Sequence, residues 1–333
     1  MNTRSAIARG GTTPLPVVVL TGFLGSGKTS FLQRVLADPE AADTAVLVNE
    51  FGEIGLDHQM LETTRPGDVV LLPSGCMCCA VRQDLALALH RLLTRRADGS
   101  LPPFRRVTIE TSGLAEPAPI LYTLGADAYL EHMLRCDRVV TIVDAVFGAA
   151  TLARFAEATA QVACADTLLI SKTDLQPASD ALRQQLQAAN PWAEIVESAT
   201  MQSPAATLFG ASGTERRHRR QKLWAAAAHS NGIDSYALVL RNRLTRLEFA
   251  MALGGLARER GEDLLRVKGL VAFADRPDRP AELHAVQHTL YPPRWLDAWP
   301  DADDRQRLVF IVRGIALDDI MHWFRKADPQ IAV

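Results

Sequence analysis

The sequence predicts an α/β chain in which a mostly parallel sheet, covered by helices on both faces, is followed by a smaller C-terminal α+β domain. Three observations carry that expectation. Short apolar, β-branched runs alternate with stretches of helical spacing over about the first 200 residues, the rhythm of strands joined by crossover helices. A glycine-rich loop follows the first run and opens a helix. Beyond residue 232 that rhythm gives way to longer alternating runs and only two helical stretches.

The elements follow in order. Residues 17–21 read as a strand, Gly22 to Gly27 as a loop and Lys28 to Leu36 as a helix. Ala45–Val48, Val69–Leu72, Arg106–Glu110, Arg138–Val143 and Thr167–Ser171 are further strand candidates, with helical spacing at Asp84–Arg95 and Pro177–Ala189. From Ala199 to Gly232 the composition shifts to Ala, Ser, Thr, Gly and His around a basic run at Arg216, Arg217, Arg219, Arg220 and Lys222. The expected organisation is therefore a first domain over 1–200, a linker over 201–232 and a second domain over 233–333. In the second domain Ser235–Arg241, Leu264–Phe273, Ala281–Thr289 and Arg307–Val312 alternate as strands, Arg246–Arg260 is amphipathic, and Ile315–Arg325 closes as a helix. Two helices against about four strands suggest a largely antiparallel sheet.

Composition narrows the function classes. The 333 residues are 48% hydrophobic and 22% charged, with 36 Lys+Arg against 38 Asp+Glu. A net charge of −2 offers no footprint for duplex nucleic acid, and aromatics at 6% offer few stacking platforms, so no nucleic-acid partner is expected. The longest apolar runs, Val17–Leu20 and Val139–Val143, are strand-sized and far short of the roughly 20 residues of a membrane span. Residues 1–16 mix Arg4 and Arg9 with small polar residues and lack the apolar core of a secretory leader, which points to the cytoplasm. Five cysteines, at 76, 78, 79, 136 and 164, do not form a disulfide framework.

Three motifs carry chemistry. Gly22-Phe23-Leu24-Gly25-Ser26-Gly27-Lys28-Thr29 fits G-x-x-x-x-G-K-[ST] between a strand and a helix. Its glycines let backbone N–H groups converge on phosphate oxygens, Lys28 places a charge between the outer phosphates, and Thr29 is the expected Mg²⁺ ligand, with Gly22, Gly25, Ser26, Gly27 and Ser30 completing the nucleotide contacts. Glu110-Thr111-Ser112-Gly113 ends another strand, where an acidic residue and a glycine N–H sense Mg²⁺ and the γ-phosphate. Glu110 is expected to act through a water of the Mg²⁺ shell; a helix cap ahead of Glu116-Pro117 is the alternative, and the two are compatible. Ser171-Lys172-Thr173-Asp174 has the form [NT]-K-x-D, in which Asp174 accepts from N1–H and the 2-amino group of guanine. Serine replaces the commoner asparagine at 171, so a weaker brace to the loop is expected.

Gly75-Cys76-Met77-Cys78-Cys79 is the remaining focus. In an extended C-x-C segment the flanking side chains share one side, so Cys76 and Cys78 can chelate one ion with Cys79 closing the site. Zn²⁺ is the first choice. A peroxide-sensing thiol pair and buried cysteines acting as small hydrophobes stay open. Glu53 and His58 are candidate auxiliary ligands.

These motifs, with Asn49-Glu50-Phe51-Gly52-Glu53, resemble the CobW-type metallochaperone GTPases, relatives of the GTPases that mature urease, hydrogenase and nitrile hydratase. Leu264–Gly269 and Val286–His288 resemble the family's second domain. The resemblance implies a P-loop GTPase that takes GTP and Mg²⁺, binds Zn²⁺ or Co²⁺ at Cys76, Cys78 and Cys79, and delivers it to a client metalloprotein. It assigns Asn49–Glu53 as a switch-like segment and Glu110 as the acid on the Mg²⁺ side. A monomer or a nucleotide- or metal-dependent dimer is expected, with no membrane partner. Many relatives carry a histidine-rich tract, whereas this linker has only His218 and His229 among arginines, which argues against metal storage. The rival reading is a GTP-binding scaffold for a client, with thiols that sense oxidants.

Overall fold

The computed structural model describes residues 13–48, 80–210, 228–230, 232–300 and 304–332. The strand expected at Val69–Leu72 lies outside these residues. Six strands, β1 (Leu15–Gly22), β2 (Thr44–Val48), β3 (Arg106–Glu110), β4 (Leu134–Asp144), β5 (Thr167–Ser171) and β6 (Glu194–Glu197), form one sheet in the order β2-β3-β1-β4-β5-β6. Every pairing is parallel. Both faces are buried, so the strands read as apolar runs and alternate only in which core they feed.

Val17, Val19 and Val139 point to one face, against Leu85, Leu89 and Leu92 of α2 (Ala80–Ala97), Leu121 of α3 (Ala118–Ala126) and Leu130 of α4 (Ala128–Met133). Further along this face, Leu168 and Ile170 meet Leu152 of α5 (Gly148–Arg154), Val162 of α6 (Ala156–Ala163) and Leu182 and Leu186 of α7 (Asp180–Ala189). Val18, Leu20, Val140 and Leu169 point the other way, onto Phe31, Leu32 and Val35 of α1 (Lys28–Leu36) and Ala205 and Leu208 of α8 (Pro204–Phe209). The helix expected from Pro177 starts at Asp180, because Ser179 caps it by accepting from the Leu182 N–H (3.2 Å). Helices α3 to α6 and α8 have no counterpart in the sequence expectations, and α8 lies within the stretch expected as a linker over 201–232, where Ala205 and Leu208 instead join the first domain's core. These helices are short, and α6 buries every residue from Ala158 to Ala163, which erases the one-sided spacing that marks a surface helix.

The second sheet is antiparallel, in the order β11-β10-β9-β13-β8-β7. Its strands are β7 (Ala228–Ser230), β8 (Ile233–Leu240), β9 (Leu264–Phe273), β10 (Arg276–Val286), β11 (Thr289–Leu290) and β13 (Gln306–Arg313), with β12 (Arg294–Trp295) beside β10. The run expected as one strand over Ala281–Thr289 is instead a hairpin. Gln287 takes φ 51°, and Val286 pairs with Thr289 across the turn. Helices α9 (Arg246–Arg260) and α10 (Leu317–Arg325) cover one face, Phe249, Leu256, Ile320 and Phe324 packing on Leu238, Val267, Leu283 and Phe310. A capping box opens α9: the Thr245 N–H donates to Glu248 (2.8 Å) and the Glu248 N–H to Thr245 Oγ1 (3.1 Å).

The other face of this sheet meets the first domain. Leu265, Val309 and Ile311 pack on Ala163 of α6, and Val286 enters the core beneath α2 and α3. At the seam Asp166 receives Arg266 (2.6 Å), Lys268 and the Val139 N–H (2.9 Å). Burial opposes ionisation there, but the facing Arg266 and Lys268 outweigh it and hold the Asp166 carboxyl well below the usual carboxylate range. A cavity of about 1130 Å³ opens beside this triad. Several charges in its wall close on one another, Arg135 on Asp137 and Arg294 on Glu282 among them.

Candidate nucleotide-binding site

In a parallel sheet the loops that leave the carboxyl ends of the strands share one edge, and the predicted nucleotide residues gather there. The loop after β1 turns sharply into α1. Gly25 and Gly27 take φ 70° and 93°, the left-handed region a side chain would disfavour, and the Ser26 N–H closes the turn on the Phe23 carbonyl (3.2 Å). Lys28 lies across the loop, donating to the carbonyls of Gly22 (2.9 Å) and Phe23 (3.2 Å), which holds its ammonium inside the curve of the loop. Ser30 lies on the exposed side of the first turn of α1.

Thr29 Oγ1 donates to Glu110 Oε1 at 2.7 Å, joining residues 81 positions apart at the ends of α1 and β3. Glu110 is 1% exposed. A hydroxyl and a carboxylate so close together are hard oxygen donors on a compact, buried spot, the chemistry that suits Mg²⁺. The residues present therefore fit that ion. Beyond Glu110, Thr111 bonds back to Thr21 of β1 (2.8 Å), and Gly113 lies so near the loop that a Cβ there would sit 2.7 Å from the Leu24 nitrogen. The Ser112 hydroxyl accepts from the Leu114 N–H (3.3 Å) within the turn after β3, while α3 opens at Pro117 without a side-chain cap, so the helix cap weighed for this segment is not made.

The loop expected to read the base is braced from three sides. Ser171 Oγ donates to the carbonyl of Ser26 (2.6 Å), so the contact expected to be weak is made, and it ties the end of β5 to the phosphate loop. Lys172, at φ 56°, extends its Nζ to Asp144 Oδ2 (2.6 Å), while Asp144 Oδ1 accepts from the N–H groups of Val146 (2.7 Å) and Phe147 (3.2 Å). Thr173 Oγ1 lies 2.7 Å from Ser198 Oγ and accepts from the Ala199 N–H (2.9 Å). Asp174 follows as an exposed carboxylate on the same edge. Sequence reasoning missed Asp144 and the Ser198-Ala199 turn. An aspartate ending the apolar run Val139–Val143, and a Ser-Ala pair just after a strand, were the available signals.

Cys76, Cys78, Cys79, Glu53 and His58, together with the segment Asn49–Glu53, lie outside the described residues. Among the described residues no group of three His, Cys, Asp or Glu side chains is placed to hold a metal ion. Cys136 and Cys164 are free thiols, and burial pushes both up to about 12. Among the described residues, no helix is long and apolar enough to cross a membrane.

Comparison with known proteins bears on this geometry. The CobW/HypB/UreG nucleotide-binding domain matches residues 16–197, and the cobalamin synthesis protein cobW C-terminal domain matches residues 233–327. The zinc chaperone YjiA of Escherichia coli K12 is 31% identical over 92% of this chain and 96% of its own length. The zinc chaperone CobW of a Sinorhizobium species is 30% identical over 83% of this chain and 86% of its own. Among solved structures, Zn(II)-bound YjiA GTPase from E. coli covers 95% of this chain and 99% of its own with a TM-score of 0.64 at 25% identity. A Zn(II)-bound triple mutant of YjiA GTPase reaches 0.68, also at 25% identity. The two family matches together span most of the chain, and the chain belongs to the CobW/HypB/UreG family of P-loop GTPases.

Proposed function

We propose that this protein is a GTP-dependent zinc chaperone that carries Zn²⁺, or Co²⁺ in its place, as cargo at Cys76, Cys78 and Cys79 and passes it to a client metalloprotein. The observation that carries the reading is the 2.7 Å contact between Thr29 and Glu110 beside the phosphate loop, in a chain that matches a zinc chaperone over 92% of its length.

In this reading the N–H groups of residues 25–29 receive the phosphates, Lys28 neutralises the outer two, and Thr29 and Glu110 hold Mg²⁺ directly or through its water. Mg²⁺, when bound, offsets charge on the β- and γ-phosphates. The Gly113 N–H reads the γ-phosphate. Lys172, held by Asp144, covers one face of the base, and Asp174 accepts from the two guanine donors that adenine lacks. The segment Asn49–Glu53 follows β2, whose end lies on the same sheet edge, so it is the natural relay from nucleotide to thiols.

The test is Zn²⁺ affinity measured by competition with a chromophoric chelator, in Mg²⁺ with GTPγS or GDP, on the wild type and on Cys76→Ala/Cys78→Ala. GTPγS is expected to tighten binding at least about tenfold, about 1.4 kcal/mol of coupling, and the double variant to lose it. Equal affinity in the two nucleotide states would overturn the gated chaperone and favour the GTP-binding redox scaffold.

A further inference from the structure

Residues 113–116 lead from the phosphate end of the site into α3, and they are held from two directions. From inside, Gln161 of α6, 1% exposed, donates from Nε2 to the carbonyls of Gly113 (3.1 Å) and Ala115 (3.0 Å). Its Oε1 is buried and accepts no hydrogen bond from a described residue. From the second domain, Arg313 at the end of β13 reaches Glu116 (3.5 Å), and the Tyr291 hydroxyl donates to the Leu121 carbonyl in α3. Thr289 and Tyr291 press on the same helix so closely that a Cβ at Gly125 would lie 2.5 Å from Thr289 Cγ2 and 2.9 Å from the Tyr291 ring. None of these side chains belongs to a nucleotide motif.

The peptide geometry shows what is being aimed. The Ser112 carbonyl and the Gly113 N–H share one plane and point in opposite directions. That carbonyl accepts from the Ala115 N–H (3.1 Å) and from Thr111 Oγ1 (3.1 Å), which fixes the direction of the N–H, and Gln161 fixes the carbonyl that follows. A side-chain amide offers both a donor and an acceptor. Gln161 can therefore serve this segment in two settings, giving Nε2 to its carbonyls in one and taking an N–H on the buried Oε1 in the other.

We propose that the second domain is coupled to the γ-phosphate through residues 113–116, with Gln161 positioning the phosphate end of the segment while Arg313, Thr289 and Tyr291 grip its far end and α3. The inference rests on the nucleotide site proposed above. Coupling of this kind needs a contiguous packed path, and each link from Leu24 through Gly113, Glu116 and α3 to β11 and β13 is a direct contact. By linkage, a client that binds the second domain changes the preference for triphosphate over diphosphate by the same factor that the nucleotide changes its affinity for the client.

The experiment measures the affinities of fluorescent GDP and GTPγS with Mg²⁺ for the full chain, as wild type, Gln161→Leu, Gly125→Ala and Arg313→Ala. Hydrogen exchange of the α3 and β11 amides is read in each nucleotide. Gln161→Leu and Gly125→Ala are expected to shift the GDP-to-GTPγS affinity ratio by at least about fivefold with GDP affinity within about twofold of wild type. In the wild type, exchange in β11 should differ between the nucleotides, and Arg313→Ala, a half-exposed site where folding is not at stake, should shrink that difference. A wild-type ratio different from one that all three variants preserve, with β11 exchange blind to the nucleotide, would overturn the coupling and leave the nucleotide site standing. A wild type that binds neither nucleotide would overturn both.

Discussion

The phosphate end and the base end of the proposed nucleotide site are built in different ways. At the phosphate end a single run, Gly22 to Thr29, makes the turn, the N–H cradle and the charge, and it needs one long-range partner, the buried Glu110. At the base end three strand ends must meet: Asp144 from β4, Ser171 to Asp174 from β5 and the Ser198-Ala199 turn after β6. Its ion pair is partly in water, with Lys172 33% exposed, whereas Glu110 is sealed. Phosphate recognition asks only for converging backbone donors and one cation, which a contiguous sequence can supply. Recognition of a base needs a plane and an edge, and only the fold can assemble those.

The sharpest way to break the comparison is Lys28→Ala. Charge-assisted contacts to two phosphates are at stake, each about 1.5–3 kcal/mol, so GDP and GTPγS affinity should both fall on the order of 100-fold in a nucleotide titration. A loss below about threefold would mean that the ammonium, bonded to the carbonyls of Gly22 and Phe23, serves the loop and not the ligand. Asp174→Asn attacks the other end. Its amide can still accept from N1–H through Oδ1, but its NH2 group then donates to the 2-oxo group of xanthine and opposes the 2-amino donor of guanine, so GTP should weaken by about 10- to 100-fold while XTP strengthens. If XTP stays as weak as before, Asp174 does not face the base and the specificity assignment fails.

Legibility in the sequence follows the same division. The loop, Lys28, Thr29 and Glu110 could be read because their chemistry is encoded within a few consecutive positions flanked by strand and helix patterns. The parallel sheet was readable for the related reason that strands buried on both faces are apolar throughout. Asp144 was not, because its role depends on lying opposite Ser171 in the β4–β5 register, and pairing partners are not written in either strand alone. Gln161 was hidden for a stronger reason: it sits in an alanine-rich helix as the one long polar side chain among buried neighbours, and its partners Gly113 and Ala115 are 48 and 46 residues away. Serine at 171 was read as the weaker brace because a short hydroxyl was weighed against a longer amide. The fold brings Ser26 within 2.6 Å, close enough for the hydroxyl to suffice.

That hydroxyl also joins the two ends, and it gives the finest test of how separate they are. Ser171→Ala removes a neutral hydrogen bond to the phosphate loop, about 0.5–1.5 kcal/mol, so nucleotide affinity should fall by about two- to tenfold. The loss should be equal for GTP and ATP, because the loop and not the base contact is loosened. Combined with Asp174→Asn, the two losses add if the ends act independently. If Ser171 instead transmits loop position to the base-reading turn, the double variant should lose less than the sum, with an interaction of at least about 0.5 kcal/mol. Strict additivity would make the contact at 2.6 Å a local brace, and the division between a contiguous phosphate end and an assembled base end would then be energetic as well as architectural.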